Sequence, residues 1–164
     1  MKYVNNTLMS NEKLIFCTRP HWVIFMPIAV WIIITVLVLI YGPRLGFSSI
    51  VFFKMSLDIF LSLITIVIAL FHALSAYITY ISSEFAITDK RALMKIGLIQ
   101  RTSLEIFLDK IESIHVRQSI FGRILNYGSI IISGTGGSKD PFNYIPNPLQ
   151  FRKQVQEQME QTLQ

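Results

Sequence analysis

Two long apolar runs dominate the first half of the chain. The first, WVIFMPIAVWIIITVLVLI, covers residues 22–40 without a charge, and as a helix it would span roughly 28 Å, close to the hydrocarbon thickness of a bilayer. The second, LDIFLSLITIVIALFHALSAYITYI, covers residues 57–81, with one acid near its start. Glycine and proline in the connection break helices. The pattern predicts a transmembrane hairpin within residues 21–81, with spans over about 22–41 and 57–81.

The pattern changes to alternation in residues 82–164. Phe85 and Ile87 alternate with polar neighbours, and IESIHVRQ places Ile114 and Val116 on one face. Turn signals occur at TDK, at Gly97 and at GGSKDP, and SIFGRILNYG reads as a break or one short helical turn. Six or seven short antiparallel strands are expected, as in a β-barrel or β-sandwich. The predicted fold class is therefore an α+β membrane protein.

The two ends of the chain carry further elements. Within residues 1–20, EKLIFCT alternates, which predicts either a strand that joins the same sheet or the start of a helix beside the membrane. At the other end, NPLQ is typical of a helix start, and a helix is expected over about 148–162. One apolar stripe recurs on it every four residues, formed by Phe151, Val155, Met159 and Leu163.

Composition supports a membrane protein. Hydrophobic residues make up 52% of the chain and charged residues 15%, whereas soluble domains hold about 25% charged residues. The net charge of +5 favours attraction to anionic lipid over nucleic acid. Cys17 is the sole cysteine, which excludes an intrachain disulfide and a cysteine-based zinc cluster.

Basic residues near the spans predict the orientation. Three precede the first span, two lie in the connection and four follow the second span. They are Lys2, Lys13 and Arg19, then Arg44 and Lys54, then Lys90, Arg91, Lys95 and Arg101. Because loops rich in lysine and arginine stay inside, both termini are expected in the cytoplasm.

The second span carries two features of interest. A stripe of small residues would let another helix approach closely, either the first span or a second copy of the chain. It consists of Ser62, Thr65, Ala69, Ala73 and Ala76. His72 lies beside the stripe, and an ionisable residue at membrane depth is a functional candidate. The alternative is a neutral imidazole bonded to a helix carbonyl or to a partner helix.

A basic hairpin follows the second span and is a candidate lipid-headgroup site. It carries the cations Lys90, Arg91, Lys95 and Arg101. Alternation puts Arg91 and Lys95 on one strand face with Leu93, and Arg101 joins that face if a three-residue loop at Gly97 places 93 opposite 101. Alternatively, the charges merely face water and hold this end of the span in the cytoplasm.

Strands followed by one C-terminal helix are the order of a pleckstrin-homology (PH) fold, and a family resemblance agrees. FAITDKRALMKIGLI, EIFLDKIESIHVRQSIFGRILNYGSIIISGTGG and NPLQFRKQV resemble the bacterial PH-like domain of YdbS-type membrane proteins, the DUF304 group. The match covers about residues 82–155, and the lead-in EKLIFCTRPHW and the two spans also suit that family. The resemblance implies a membrane-anchored PH-like barrel at the cytoplasmic face of a bacterial inner membrane, with binding or assembly and no known chemistry.

No catalytic, metal or cofactor site is predicted. His21, His72 and His115 do not cluster at metal-ligand spacing, and SGTGG lacks the Lys-Ser/Thr pair and the helix of a phosphate loop. We therefore expect a protein that is not an enzyme. Three hypotheses stay open: an interaction or scaffold module that forms a homo-oligomer or docks a partner protein, a binder of anionic membrane lipids, and an accessory subunit of a transport or secretion complex.

Overall fold

The computed structural model describes residues 2–97, 102–134 and 141–162. The chain folds as two compact units. One unit comprises Met1–His21 with Ile78–Gln164, and the other comprises Trp22–Tyr77. The second, helical unit therefore interrupts the first, strand-rich unit in sequence.

The helices and strands follow one another in this order. They are α1 (Lys2–Thr7), β1 (Leu14–Thr18), α2 (Met26–Tyr41), β2 (Val51–Phe52), β3 (Met55–Ser56), α3 (Leu57–Ser82), β4 (Glu84–Thr88), β5 (Arg91–Ile96), β6 (Thr102–Phe107), β7 (Ile111–Arg117), α4 (Ile120–Ile124), β8 (Tyr127–Gly134), β9 (Pro141–Pro146) and α5 (Pro148–Thr162). Short 3₁₀ turns lie at Trp22–Phe25, Pro43–Leu45, Phe47–Ser49 and Leu108–Lys110.

A four-stranded antiparallel sheet has the order β1-β4-β5-β6. β1 pairs with β4, with Phe16 opposite Ile87 and Thr18 opposite Phe85. The segment EKLIFCT therefore forms a strand that joins the sheet, which was one of its two predicted alternatives, and not the start of a helix. The strand before the two apolar helices and the strands after them therefore form one sheet.

The second antiparallel sheet has the order β7-β8-β9 and shares its core with the first sheet and α5. Phe85 and Ile87 come from the first sheet, Ile130 from the second, and Phe151 and Val155 from α5; all five are fully buried. Met159 packs against this core, as the predicted stripe requires, and residue 163 lies outside the described residues. Ile114 and Val116 of β7 pack against this core, which confirms the prediction that they share its inward face.

The outer face of the first sheet is covered by α1, which the sequence pattern did not predict. Val4 is fully buried and packs with Ala86 and Leu93, so β4 is buried on both of its faces. The backbone N–H of Val4 also donates to Glu84 Oε2 at 3.0 Å. Because α1 holds one fully buried apolar side chain among the described ones, it shows no helical periodicity in the sequence.

The two apolar segments lie at the predicted positions, and the helical unit contains the first and most of the second. Trp22–Tyr41 starts with a 3₁₀ turn and continues as α2, and α3 forms the second segment. Between them β2 and β3 make a hairpin whose two loop residues, Phe53 and Lys54, have φ of 49° and 64°. Positive φ at both positions is the geometry of a type I′ turn. A Cβ at Gly42 would lie 2.9 Å from Asp58 Cβ, so the close approach of the two helix ends requires glycine.

Truncation of Phe151 tests whether α5 completes the core. Its ring is fully buried and meets the Phe16 ring edge-on, with centroids 5.9 Å apart. We expect Phe151→Ala to lower the free energy of unfolding of the strand-rich unit by about 3–5 kcal/mol, because the cavity cannot collapse. Leu149→Ala, at an exposed position of the same helix, should change it by less than about 0.5 kcal/mol. Pulse proteolysis of the full chain in urea and mild detergent measures both, and equal losses would contradict the packing.

Candidate functional site

Arg91, one of the candidate contacts for lipid headgroups, lies inside the fold. The residue is 4% exposed. Its Nε and Nη2 donate to the two carboxylate oxygens of Glu12 at 2.9 and 3.0 Å, and its Nη1 donates to Glu105 Oε2 at 2.7 Å. Nη2 also donates to the Thr7 carbonyl at 2.7 Å. A guanidinium enclosed in this way satisfies its donors within the protein and is not available to a phosphate.

Glu12 is the central acceptor of this buried network. Besides the Arg91 donors, it accepts from the Thr88 hydroxyl at 2.8 Å and from the Met9 backbone N–H at 2.7 Å. Burial by itself raises the pKa of Glu12, but these hydrogen bonds and the Arg91 charge outweigh it and lower the pKa to about 2. The bond to Glu12 is also the main cause of the raised pKa of Arg91. The pair is therefore ionised at neutral pH.

The register of the hairpin explains why Glu105 reaches Arg91. Leu93 pairs with Glu105, and the last pair before the loop is Ile96 with Thr102. The register left open by the sequence is therefore not the one that places 93 opposite 101, because Leu93 pairs with Glu105. This register puts the Glu105 carboxylate on the same sheet face as Arg91 and Leu93. No local pattern signals this contact, since one residue more or less between the strands changes which residue lies opposite.

Lys90 and Lys95, the remaining hairpin cations that the structure describes, have different surroundings. Lys90 is exposed at the turn between β4 and β5. Lys95 is half-buried, and its Nζ lies 4.6 Å from the centroid of the Tyr3 ring, within the range of a cation–π contact. Arg101 lies outside the described residues. Of the four candidate lipid-contact residues of the hairpin, Arg91 is therefore buried and Lys95 contacts an aromatic ring of the same unit.

The small-residue stripe of α3 partly faces the first apolar helix. Ser62, Thr65, Ala69 and Ala76 are buried, and Ala73 is half-buried. The hydroxyl oxygens of Thr35 and Thr65 lie 2.7 Å apart, which links α2 to α3. Contact with the first span was one of the two alternatives for this stripe, and contact with a second copy stays a prediction.

His72 contacts aromatic rings of the helical unit. Its ring stacks on Trp31 of α2 with centroids 6.3 Å apart, and it also meets the ring of Phe71. A groove of about 250 Å³ lies between the two helices. It is lined by Ile28, Ile32, Thr35, Val36, Ile66, Ala69, Leu70 and Ala73. Because this lining is apolar apart from one hydroxyl, the groove suits a helix or an acyl chain rather than an ion.

An open groove of about 650 Å³ lies along β7. Its lining consists of Glu112, Ser113, His115, Val116, Arg117, Ile131, Ser133 and Pro141. The lining holds one carboxylate and one guanidinium, so it has no concentration of one charge. Within residues 2–97, 102–134 and 141–162, no three His, Cys, Asp or Glu side chains form a group that could hold a metal ion.

The pH dependence of stability tests the buried network. Because the pKa of Glu12 is about 2 in the fold and 4.5 ordinarily, its contribution is present above pH 4.5 and is lost as the pH falls toward 2. We expect the free energy of unfolding to drop by about 3 kcal/mol over this window through Glu12, and Glu12→Gln should remove that part of the pH dependence.

The matched control is Glu157→Gln. Glu157 is a surface carboxylate that lies 3.5 Å from Lys153 Nζ on α5, so its loss should leave the pH profile close to that of the wild type. Urea unfolding of the full chain in detergent at a series of pH values measures both profiles. A profile of Glu12→Gln identical to that of the wild type would refute the assignment.

A comparison with known families agrees with this architecture. A family model described as the bacterial PH domain (bPH_2) matches residues 23–159, most of the chain. No curated protein and no solved structure matches the chain. The matched range includes both apolar helices from residue 23 and the strands that follow them, whereas β1 lies outside it and still completes the first sheet. This chain belongs to the bacterial PH domain family.

Proposed function

We propose that this protein is a membrane-anchored interaction module that holds a PH-like domain at the cytoplasmic face of a bacterial inner membrane. A PH-like domain indicates a module that binds protein or lipid. In the proposal it acts by binding and not by catalysis, through self-assembly or by docking a partner protein. The grouping with YdbS-type proteins is part of the proposal. The observation that carries it is the exposed apolar surface of the two long helices.

These helices have the character of lipid-exposed segments. They comprise 20 and 26 residues with mean hydropathy of 3.0 and 2.4. Large apolar side chains point outward along them, and Phe71, for example, is 72% exposed. The core helix of a soluble protein would bury such side chains, and a signal sequence would account for the first helix alone. Insertion into a bilayer accounts for the length and the exposed apolar side chains of both helices.

The pairing of β1 with β4 supports the topology. β1 ends at Thr18 before the first apolar helix, and β4 begins at Glu84 after the second. Two strands of one sheet lie on the same side of a membrane, so the intervening chain crosses it an even number of times. The excess of lysine and arginine outside the connection then favours the cytoplasm for both ends.

The groove between α2 and α3 supports self-assembly. Ala69 and Ala73 line it, and small side chains let another helix backbone approach closely within a bilayer. The occupant in this proposal is the helical hairpin of a second copy. The basic-hairpin alternative is weakened by the burial of Arg91, and the contact of His72 with Trp31 gives no particular support to a transport role.

Cysteine labelling in intact cells tests the topology. In a Cys17→Ser background, Lys54→Cys at the tip of the β2–β3 hairpin should react with a membrane-impermeant maleimide in intact spheroplasts. Lys90→Cys, exposed in the strand-rich unit, should react after permeabilisation only. Both positions lie in turns and begin as lysines, so they form a matched pair. Labelling of position 90 in intact spheroplasts would refute the cytoplasmic placement.

Crosslinking in native membranes tests self-assembly. An amine-reactive crosslinker followed by mass analysis should give a species at an integer multiple of 18.9 kDa. Ala73→Leu, which fills the groove, should reduce that species, whereas Phe71→Leu on the exposed face should not. A monomer in every preparation would refute self-assembly. A non-integer mass would instead favour docking of a different protein.

A further inference from the structure

The short helix α4 exposes three large apolar side chains. Ile120, Phe121 and Ile124 are 78%, 70% and 73% exposed. They belong to the folded, strand-rich unit, where the large apolar residues of the neighbouring strand β8, such as Ile130 and Ile132, are fully buried. Three such side chains on one helical turn form a patch, and an exposed apolar patch marks an interaction surface or a membrane contact.

Packing fixes α4 in this outward orientation. Ser119 caps the helix by accepting from the Gly122 N–H at 3.0 Å. A Cβ at Gly122 would lie 2.7 Å from the carbonyl oxygen of Tyr127, so the helix sits directly on the start of β8. The buried side of α4 is therefore its glycine, and its large side chains are left to face outward.

The same contact places α4 next to the point where the chain leaves for the first apolar helix. The Tyr127 ring stacks on His21, with centroids 5.4 Å apart, and the His21 N–H donates to the Tyr144 carbonyl at 2.6 Å. The next residue is Trp22, the first of the apolar segment. A residue held by the domain and followed at once by a span must lie near the membrane surface if that span is inserted.

The charge around α4 also suits a phospholipid surface. No acidic residue occurs between Glu112 and Asp140, whereas Arg117 and Arg123 lie in this stretch and are exposed. Isoleucine and phenylalanine beside arginine are the combination that interfacial helices use, with apolar side chains in the acyl boundary and cations at the phosphates.

From these observations we propose that α4 inserts Ile120, Phe121 and Ile124 into the cytoplasmic interface of the bilayer, as a third contact of the protein with lipid besides the two spans. The inference rests on the proposed membrane anchoring. It commits to lipid as the occupant of the patch, so a protein partner on this surface is an outcome that overturns it.

Spin labels on the full chain in nanodiscs of phosphatidylcholine and phosphatidylglycerol test the insertion. Single cysteines replace Phe121 or Ile124 in a Cys17→Ser background. Power saturation compares collisions with oxygen, which concentrates in lipid, and with a water-soluble nickel chelate. Lys110→Cys is the matched exposed control, because it lies at the other end of the seven-residue strand β7, about 20 Å away. Ile33→Cys reports on the first apolar helix.

The inference predicts that labels at 121 and 124 collide more with oxygen than with nickel, as the label at 33 does, and that the label at 110 shows the reverse. Water-like collisions at 121 and 124 with lipid-like collisions at 33 overturn the inference and leave the anchoring intact. Water-like collisions at 33 overturn the anchoring itself. Weak collisions with both reagents at 121 and 124 indicate a protein cover and also overturn the inference.

Discussion

The ion pair of Glu12 with Arg91 is the constraint on which the folded domain depends, because it joins segments 79 residues apart on either side of the two apolar helices. Burying both charges is costly, and the bidentate geometry with further bonds to Glu105 and Thr88 offsets that cost. Losing Arg91 would leave Glu12 as a buried carboxylate without its cation, and losing Glu12 would leave Arg91 with Glu105 as its carboxylate partner. The pair also fixes the segment before β1 against the sheet, where α1 then covers the outer face. The strand-rich unit is complete when both of its sequence segments are present.

Local pattern predicts most of the helices and strands, whereas contacts between distant segments cannot be read from it. The two apolar helices, α5 and the inward faces of β4 and β7 follow from periodicities that span a few residues. The role of Arg91 depends on the register between β5 and β6 and on Glu12, and neither leaves a local signal. The local sequence around a basic residue does not distinguish one exposed in a turn from one buried in a hydrogen-bonded network. α1 was missed for a similar reason, because its packing depends on Val4 and on a sheet that forms much later in the chain.

Because Arg91 and Lys95 make contacts within the domain, the surface that could attract an anionic membrane lies elsewhere than on the first hairpin. The sequence suggests that Arg91 and Lys95 concentrate charge on the first hairpin, but one is neutralised by carboxylates and the other lies over a tyrosine ring. Exposed positive charge without nearby acids in sequence is instead found around Arg117 and Arg123. That stretch also carries the exposed apolar residues of α4. Charge and apolar exposure therefore coincide there, and this coincidence distinguishes α4 from the basic hairpin as a candidate for lipid contact.

The connectivity of β1 and β4 places the helical unit inside the sequence of the strand-rich unit rather than at one end of it. Thr18 at the end of β1 lies opposite Phe85 near the start of β4, so the chain leaves and re-enters the sheet on adjacent strands, about 5 Å apart. Three residues follow β1 before the first apolar helix, and one residue precedes β4 after the second. The strand-rich unit therefore closes on itself through β1 and β4, and the apolar helices are inserted between two strands that are neighbours in one sheet.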